Sequence, residues 1–149
     1  MGIISGLSFS STAMASSGVV ISFGSLGASA ALIFAAPSSP LAQPRNVIGG
    51  HLVSAIIGVA AHKLIVNPGT PGSLPGAIAV AVSLSVGLMG LLGVQHPAGG
   101  GTAYLAVASP EVAVLGWLFI PYVVAGATIL CCIALLGRLV GRPYPQWWW

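Results

Sequence analysis

Ala36-Pro-Ser-Ser-Pro-Leu-Ala-Gln-Pro-Arg-Asn-Val-Ile-Gly-Gly-His51 decides how the chain is read. A long apolar run reaches Ala36 and is then interrupted by Pro37, Pro40 and Pro44. The first charged residue of the chain, Arg45, follows directly. The helix predicted after Pro44 carries His51 near its start. A second interruption, Gln95-His-Pro-Ala-Gly-Gly-Gly-Thr102, echoes the first. The two breaks are expected to face each other inside a membrane and to form a polar, anion-attracting site.

Composition places the chain in lipid. Of 149 residues, 3% are charged and 56% hydrophobic, and the mean hydropathy is +1.03. A soluble domain is about a quarter charged, and five charged side chains cannot make a water-facing surface. Their spacing says more. Seventeen residues separate Arg45 from Lys63, 47 separate Lys63 from Glu111, and 26 separate Glu111 from Arg138. A bilayer core of ~30 Å takes about 20 helical residues. The segments before, between and after these charges therefore hold an all-α, polytopic membrane protein with four transmembrane helices and two broken, re-entrant segments, in one domain.

Residues 1–14 read as a weakly helical lead-in, without the basic start of a signal peptide or the arginine of a transit peptide. The first span covers about Ser16 to Ala36. Gly24 and Ala28, and Gly27, Ala31 and Ala35, recur at the four-residue spacing that lets helices approach closely in lipid. The second span covers about Arg45 to Val66, with Pro44 suited to its opening turn. Gly50, Ser54, Gly58 and His62 give it a small face. His51 and His62 share a stripe but lie about 16 Å apart along the axis, so they cannot share a metal. Asn67 to Gly76 is a turn by composition, and the third span covers about Ala77 to Val94. Thr102 to Ser109 reads as a short half-helix with Thr102 at its N-cap, too short to cross. The fourth span, about Val112 to Leu136, contains Pro121 and is expected to kink there. Residues 138–149, with two arginines, Tyr144 and three tryptophans, read as an interfacial anchor. Adjacent Cys131 and Cys132 read as two small buried residues.

Four spans put both termini on one side, with Lys63, Arg138 and Arg142 there and Arg45 and Glu111 opposite. Three cations against one make the terminal side cytoplasmic or stromal. Both breaks then lie on the other side. Enzyme chemistry is not expected. Glu111 is the only carboxylate side chain, and no catalytic set, phosphate loop or metal-ligand spacing is present, so catalytic residues, metals and cofactors are all read as none. Nor is there a basic patch for nucleic acid.

Two stretches resemble the HPP family of small integral membrane proteins. The first runs from Phe23 to His51 and includes the specific Ser39-Pro-Leu-Ala-Gln-Pro-Arg-Asn46. The second is His96-Pro-Ala-Gly-Gly-Gly-Thr-Ala103, in which the family's His-Pro-Pro reads His96-Pro97-Ala98. With the Arg142-Pro-Tyr-Pro-Gln-Trp147 ending, the resemblance covers most of residues 20–147. Pro40, Gln43, Pro44, Arg45, Asn46, Gly50, His51, His96, Pro97 and Gly99 match its motifs. The resemblance implies four transmembrane helices. It also implies a role like that of members implicated in nitrite transport, in a plastid membrane for an alga or plant and in a plasma or thylakoid membrane for a bacterium.

On this reading Arg45 and the free N–H groups of the first turn after Pro44 attract a small anion such as nitrite. Asn46, Gly50 and His51 lie beside them. His96, the N–H groups of Gly99 and Gly100 and the Thr102 hydroxyl form the second half of the site, as an anion nest. Pro37, Pro40, Gln43, Pro44 and Pro97 shape the breaks. For His51 an interhelical hydrogen bond is the expected role; for His96 a bond to a helix-end carbonyl, with glycines for tight packing, stands beside the anion site. A permease or channel of this size is expected to be a homo-oligomer. The competing reading is a non-catalytic accessory subunit of a larger membrane complex, its small-residue faces and Trp-rich tail serving as contact surfaces.

Overall fold

Proline sets the starts of three helices. Pro44, Pro97 and Pro110 each occupy the first turn of one, where a missing N–H costs no hydrogen bond and φ is already helical. The computed structural model describes residues 23–141 and 143–148, and among these all regular structure is helical. Helix α1 is Phe23–Ala35, α2 Pro44–Ile65, α3 Ser73–Leu92, α4 Pro97–Ala108, α5 Pro110–Leu115 and α6 Phe119–Leu136. Short 3-10 turns cover Pro40–Ala42, Gly116–Leu118 and Gly137–Val140. The lead-in expected over 1–14 and the start of the first span lie outside the described residues.

Three segments, Pro44–Ile65, Ser73–Leu92 and Pro110–Leu139, are long and apolar enough to cross a membrane, and Gly24–Ala35 is a shorter apolar helix. The exterior is apolar: Val80, Leu84 and Val86 on α3 and Ile129 and Ile133 on α6 are exposed. The interior holds the polar groups, with Ser29, His51, Ser54, Ser85, His96 and Thr102 all buried. Apolar outside and polar inside is the distribution a bilayer imposes on a bundle.

Contacts fix the direction of each helix. Along α2, Gly50 faces His96, Gly58 faces Ala103 and Ala106, and His62 meets Val107. So α2 and α4 run side by side in the same direction. Helix α6 runs against α2: Phe119 and Val123 cluster with Val59, and Ala134 with Val47. Helix α1 runs with α6, since Leu26 lies against Gly126 while Ile33 clusters with Cys131 and Ala134.

This geometry corrects several expectations. The short helix begins at Pro97 rather than Thr102, with His96 as its N-cap. It does not turn back: it descends along α2 from the break end to the Lys63 end. The return passage through α5 and α6 therefore ends at the break end, where Tyr144 is buried beside Ala42 and Val47. Phe23 and Tyr144 thus lie toward opposite ends of the bundle, and the N-terminus itself lies outside the described residues. Tyr144 is no interfacial ring, because the Ala42 carbonyl gives its hydroxyl a buried partner at 3.0 Å. Trp147 and Trp148 remain exposed. The break in the last passage falls at Gly116, whose φ of 54° suits glycine. Pro121 instead sits in the first turn of α6, where it removes no helical hydrogen bond. Helix α3 opens at Ser73, four residues before the expected start. The small residues Gly24, Gly27, Ala28, Ala31 and Ala35 face outward, while Ser25, Ser29 and Ile33 face in.

Close approach of α2 and α4 rests on glycine. A Cβ on Gly58 would lie 2.6 Å from the Ala106 Cβ and 2.8 Å from the Ala103 carbonyl oxygen, neither able to move aside. Gly58→Ala is expected to destabilise the bundle by about 1–3 kcal/mol through overpacking, seen as a lower unfolding temperature in detergent. Gly27→Ala, which meets nothing within 4 Å in the bundle, produces no such overpacking within it.

Candidate functional site at the junction of the two breaks

The first break is built from its own side chains. Ser39 caps the 3-10 turn by accepting from the Leu41 N–H at 3.3 Å. Gln43 is buried, and its Nε2 donates to the carbonyls of Pro37 at 2.9 Å and Ser39 at 2.8 Å. Its Oε1 accepts from the Gln146 N–H at 2.9 Å, tying the C-terminal tail to the break. Asn46 donates to the Pro40 carbonyl at 3.0 Å. Burial pushes the Tyr144 phenol above its ordinary range, so it stays a neutral donor. Gln43, Asn46, Pro37, Pro40 and Pro44 thus hold non-helical backbone in place at the edge of an apolar bundle.

The second break is shorter than its glycines suggest. Non-helical backbone covers Gly93 to His96 only, and it is recessed. Val94 packs on Gly49 and the His96 Cβ on Gly50, so α4 starts about six residues, or ~9 Å, below the start of α2. Gly99, Gly100 and Gly101 are helical and form no nest. A Cβ on Gly99 would lie 2.7 Å from the Ser54 Oγ and 3.0 Å from the Gly50 carbonyl oxygen; its role is close packing.

The breaks meet through His96. Its Nδ1 lies 2.9 Å from the Leu41 carbonyl oxygen and its Nε2 lies 2.7 Å from the Ser29 Oγ. The same Ser29 Oγ is 2.7 Å from the His51 Nε2, and the His51 Nδ1 is 2.7 Å from the Thr102 Oγ1. The imidazole centroids are 5.1 Å apart. Thr102 lies more than a turn inside α4, not at its cap. The sequence reading missed Ser29. Its signal was the Ser25/Ser29 pair, four residues apart on an otherwise apolar helix. At an effective dielectric of about 20, two positive rings at the observed 5.1 Å repel by about 3 kcal/mol, so a second charge is strongly disfavoured once one is present.

A cavity of about 390 Å³ lies at this junction, lined by Leu41, Val86, Met89, Gln95, His96 and Pro97. Helix α4 points its N-terminus here, and no side chain caps it. Arg45 is not among the lining residues. Its Nη2 lies 3.4 Å from the Leu92 carbonyl and the side chain is exposed; a cation suits this negative end of α3. The structure therefore brings together His51, His96 and Thr102, packs Gly50 and Gly99 against them, and leaves Arg45 and Asn46 at the rim. Among the described residues, no three His, Cys, Asp or Glu side chains cluster to hold a metal ion.

A bundle with an apolar exterior, a buried histidine pair and a recessed short helix defines a polytopic helical membrane protein. The chain belongs to the HPP transmembrane family, whose model for the transmembrane region matches residues 1–145. Two proteins of Dictyostelium discoideum, each named as a transmembrane protein, are similar to it. One is 42% identical over 130 residues, 85% of this chain and 45% of the relative. The other is 40% identical over 129 residues, 85% of this chain and 41% of the relative. The chain thus spans less than half the length of these relatives. No solved structure matches it.

Gln43 supplies three hydrogen bonds, to the Pro37 and Ser39 carbonyls and from the Gln146 N–H. Gln43→Ala is expected to cost at least about 2 kcal/mol, and protease is expected to release the C-terminal tail sooner in detergent than it does from the unaltered protein.

Proposed function

We propose that the protein is a non-enzymatic permease for a small anion, with nitrite as the first candidate from the family resemblance. The observation that carries this reading is His96. A buried imidazole, at the uncapped N-terminus of a short helix, borders an open pocket in the flank of an apolar bundle. The helix end favours negative charge, and transporters commonly point half-helix N-termini at anionic substrates. The remaining lining is mostly apolar, which suits the weak binding that permeation requires. Arg45 serves at the rim as an attractor and not as a ligand.

The outward row of Gly27, Ala31 and Ala35 supports a homo-oligomer, since small residues are favoured where helices meet in lipid. With Arg45 and Arg138 at the break end and Lys63 and Glu111 at the other, charge bias favours the break end as the cytoplasmic or stromal face. The accessory-subunit reading keeps one supporting fact: the Dictyostelium relatives are more than twice as long as the part this chain matches.

Liposome reconstitution tests the proposal. The unaltered protein is expected to carry nitrite faster than empty vesicles. His96→Ala should lower that rate about tenfold, the worth of one good charge-assisted hydrogen bond. Arg45→Ala should change it by no more than about twofold, as a screened rim charge does. Flux equal to that of empty vesicles removes the permease reading.

A further inference from the structure

We propose that Thr102, His51, Ser29 and His96 form a single-file relay that binds one proton and passes it between the two imidazoles. The argument is one of hydrogen counting. The Leu41 carbonyl can only accept, so the His96 Nδ1 facing it at 2.9 Å carries a hydrogen. In the neutral ring the His96 Nε2 is then bare and accepts the Ser29 O–H at 2.7 Å. Ser29 has one hydrogen and a second acceptor in the Ser25 carbonyl at 3.1 Å; in the neutral pair the hydrogen goes to the His96 Nε2, because a bare buried ring nitrogen has no other donor. Having donated it, its oxygen accepts from the His51 Nε2–H at 2.7 Å. The His51 Nδ1 is then bare and accepts the Thr102 O–H at 2.7 Å. Every hydrogen along the line points the same way, and the rings hold opposite tautomers.

The cluster also contains what it needs to take an extra proton. The Thr102 Oγ1 lies 3.4 Å from the Ala98 carbonyl, a second acceptor toward which its O–H can turn. The His51 Nδ1 then receives the added proton and His51 is an imidazolium. In the handover the His51 Nε2–H bond breaks and that proton bonds to the Ser29 oxygen. The original Ser29 O–H bond breaks in concert, and its proton bonds to the His96 Nε2. His51 ends neutral with its hydrogen on Nδ1, His96 ends as the imidazolium, and the charge is +1 throughout. The mutual repulsion of two charged rings limits the relay to one proton.

Among the described residues, no carboxylate side chain faces the pair to compensate this charge. Helices α1 and α3 bring no titratable side chain. Beyond Thr102, α4 adds only Tyr104, which is exposed. On α6, Cys131 is turned to Tyr144 at 3.5 Å, and Tyr122 is exposed. Arg45 is exposed at the rim, His62 bonds the Val107 carbonyl at the far end, and Lys63 and Glu111 lie there too. Resting on the permease reading, the consequence is proton coupling: the proton delivered to His96 becomes the counter-charge for an anion in the adjoining cavity.

The test is nitrogen NMR of histidine-labelled protein in nanodiscs, with His62 identified through His62→Gln. At alkaline pH we expect His96 with its hydrogen on Nδ1 and His51 with its hydrogen on Nε2. On acidification one proton should enter the pair and exchange between both rings. Ser29→Ala should abolish the exchange while leaving the His62 signal in place, and Ser29→Thr should restore it. The same tautomer on both rings, two protons bound independently, or exchange that survives Ser29→Ala each overturns the relay. In liposomes, nitrite flux that fails to fall as external pH rises overturns the coupling. Absence of any nitrite flux with opposite tautomers intact supports the relay and removes the permease.

Discussion

Non-helical backbone in an apolar bundle must find its hydrogen bonds within the protein, and the contact between His96 and the Leu41 carbonyl is where this protein meets that demand. Each unpaired polar group in lipid costs several kcal/mol. The first break exposes carbonyls that a helix would have satisfied; Gln43, Asn46, Tyr144 and His96 take up those of Pro37, Ser39, Pro40, Leu41 and Ala42. The second break descends beside Gly49 and Gly50, and the imidazole at its lower end closes the last of these bonds. Neither break is tenable without the other.

That arrangement sets the packing around it. For His96 to reach Leu41, α4 must begin below the start of α2 and lie very close to it. Gly50, Gly58 and Gly99 allow this approach, and the serines and threonine on the facing surfaces fill the remaining polar valence. The cost is a polar cluster in an apolar core; the return is a helix N-terminus and two imidazoles held at fixed distances beside a cavity. Every polar atom of Ser29, His51, His96 and Thr102 has a partner, whereas the Ser25 Oγ is buried without one among the described residues.

Much of this was legible in the sequence. The second helix, expected over 45–66 from charge spacing and prolines, runs from Pro44 to Ile65. The meeting of residues 37–46 with 95–102 followed from both breaks falling at one end. Other features depended on partners that composition cannot show. The three glycines after Pro97 looked like a loop because glycine weakens isolated helices; they are helical, with Gly99 packed on Gly50 and Ser54, Gly100 beside Val82 and Val86 and Gly101 beside Ser25. Once the short helix extends to the far end of α2, the return passage reverses, and the side of the C-terminal tail reverses with it. Arg45 looked central because a lone cation in an apolar chain demands a reason. The reason it finds is the last turn of α3. Ser29 was hidden because its one mark, a second serine four residues before it, points to no partner until two imidazoles converge on it.

The claim that everything else rests on is the recessed second break, and a disulfide reports on it directly. In a protein with Cys131 and Cys132 replaced by alanine, cysteines at positions 49 and 94 should cross-link spontaneously in the membrane, since a Cβ on Gly49 would lie 3.0 Å from the Val94 Cβ and a small separation of the two segments brings the pair to the about 3.5–4.5 Å at which disulfides form. Near-complete cross-linking with retained thermal stability is the predicted result. Two free thiols, open to a membrane-impermeant reagent, would place the break at the surface and contradict the account.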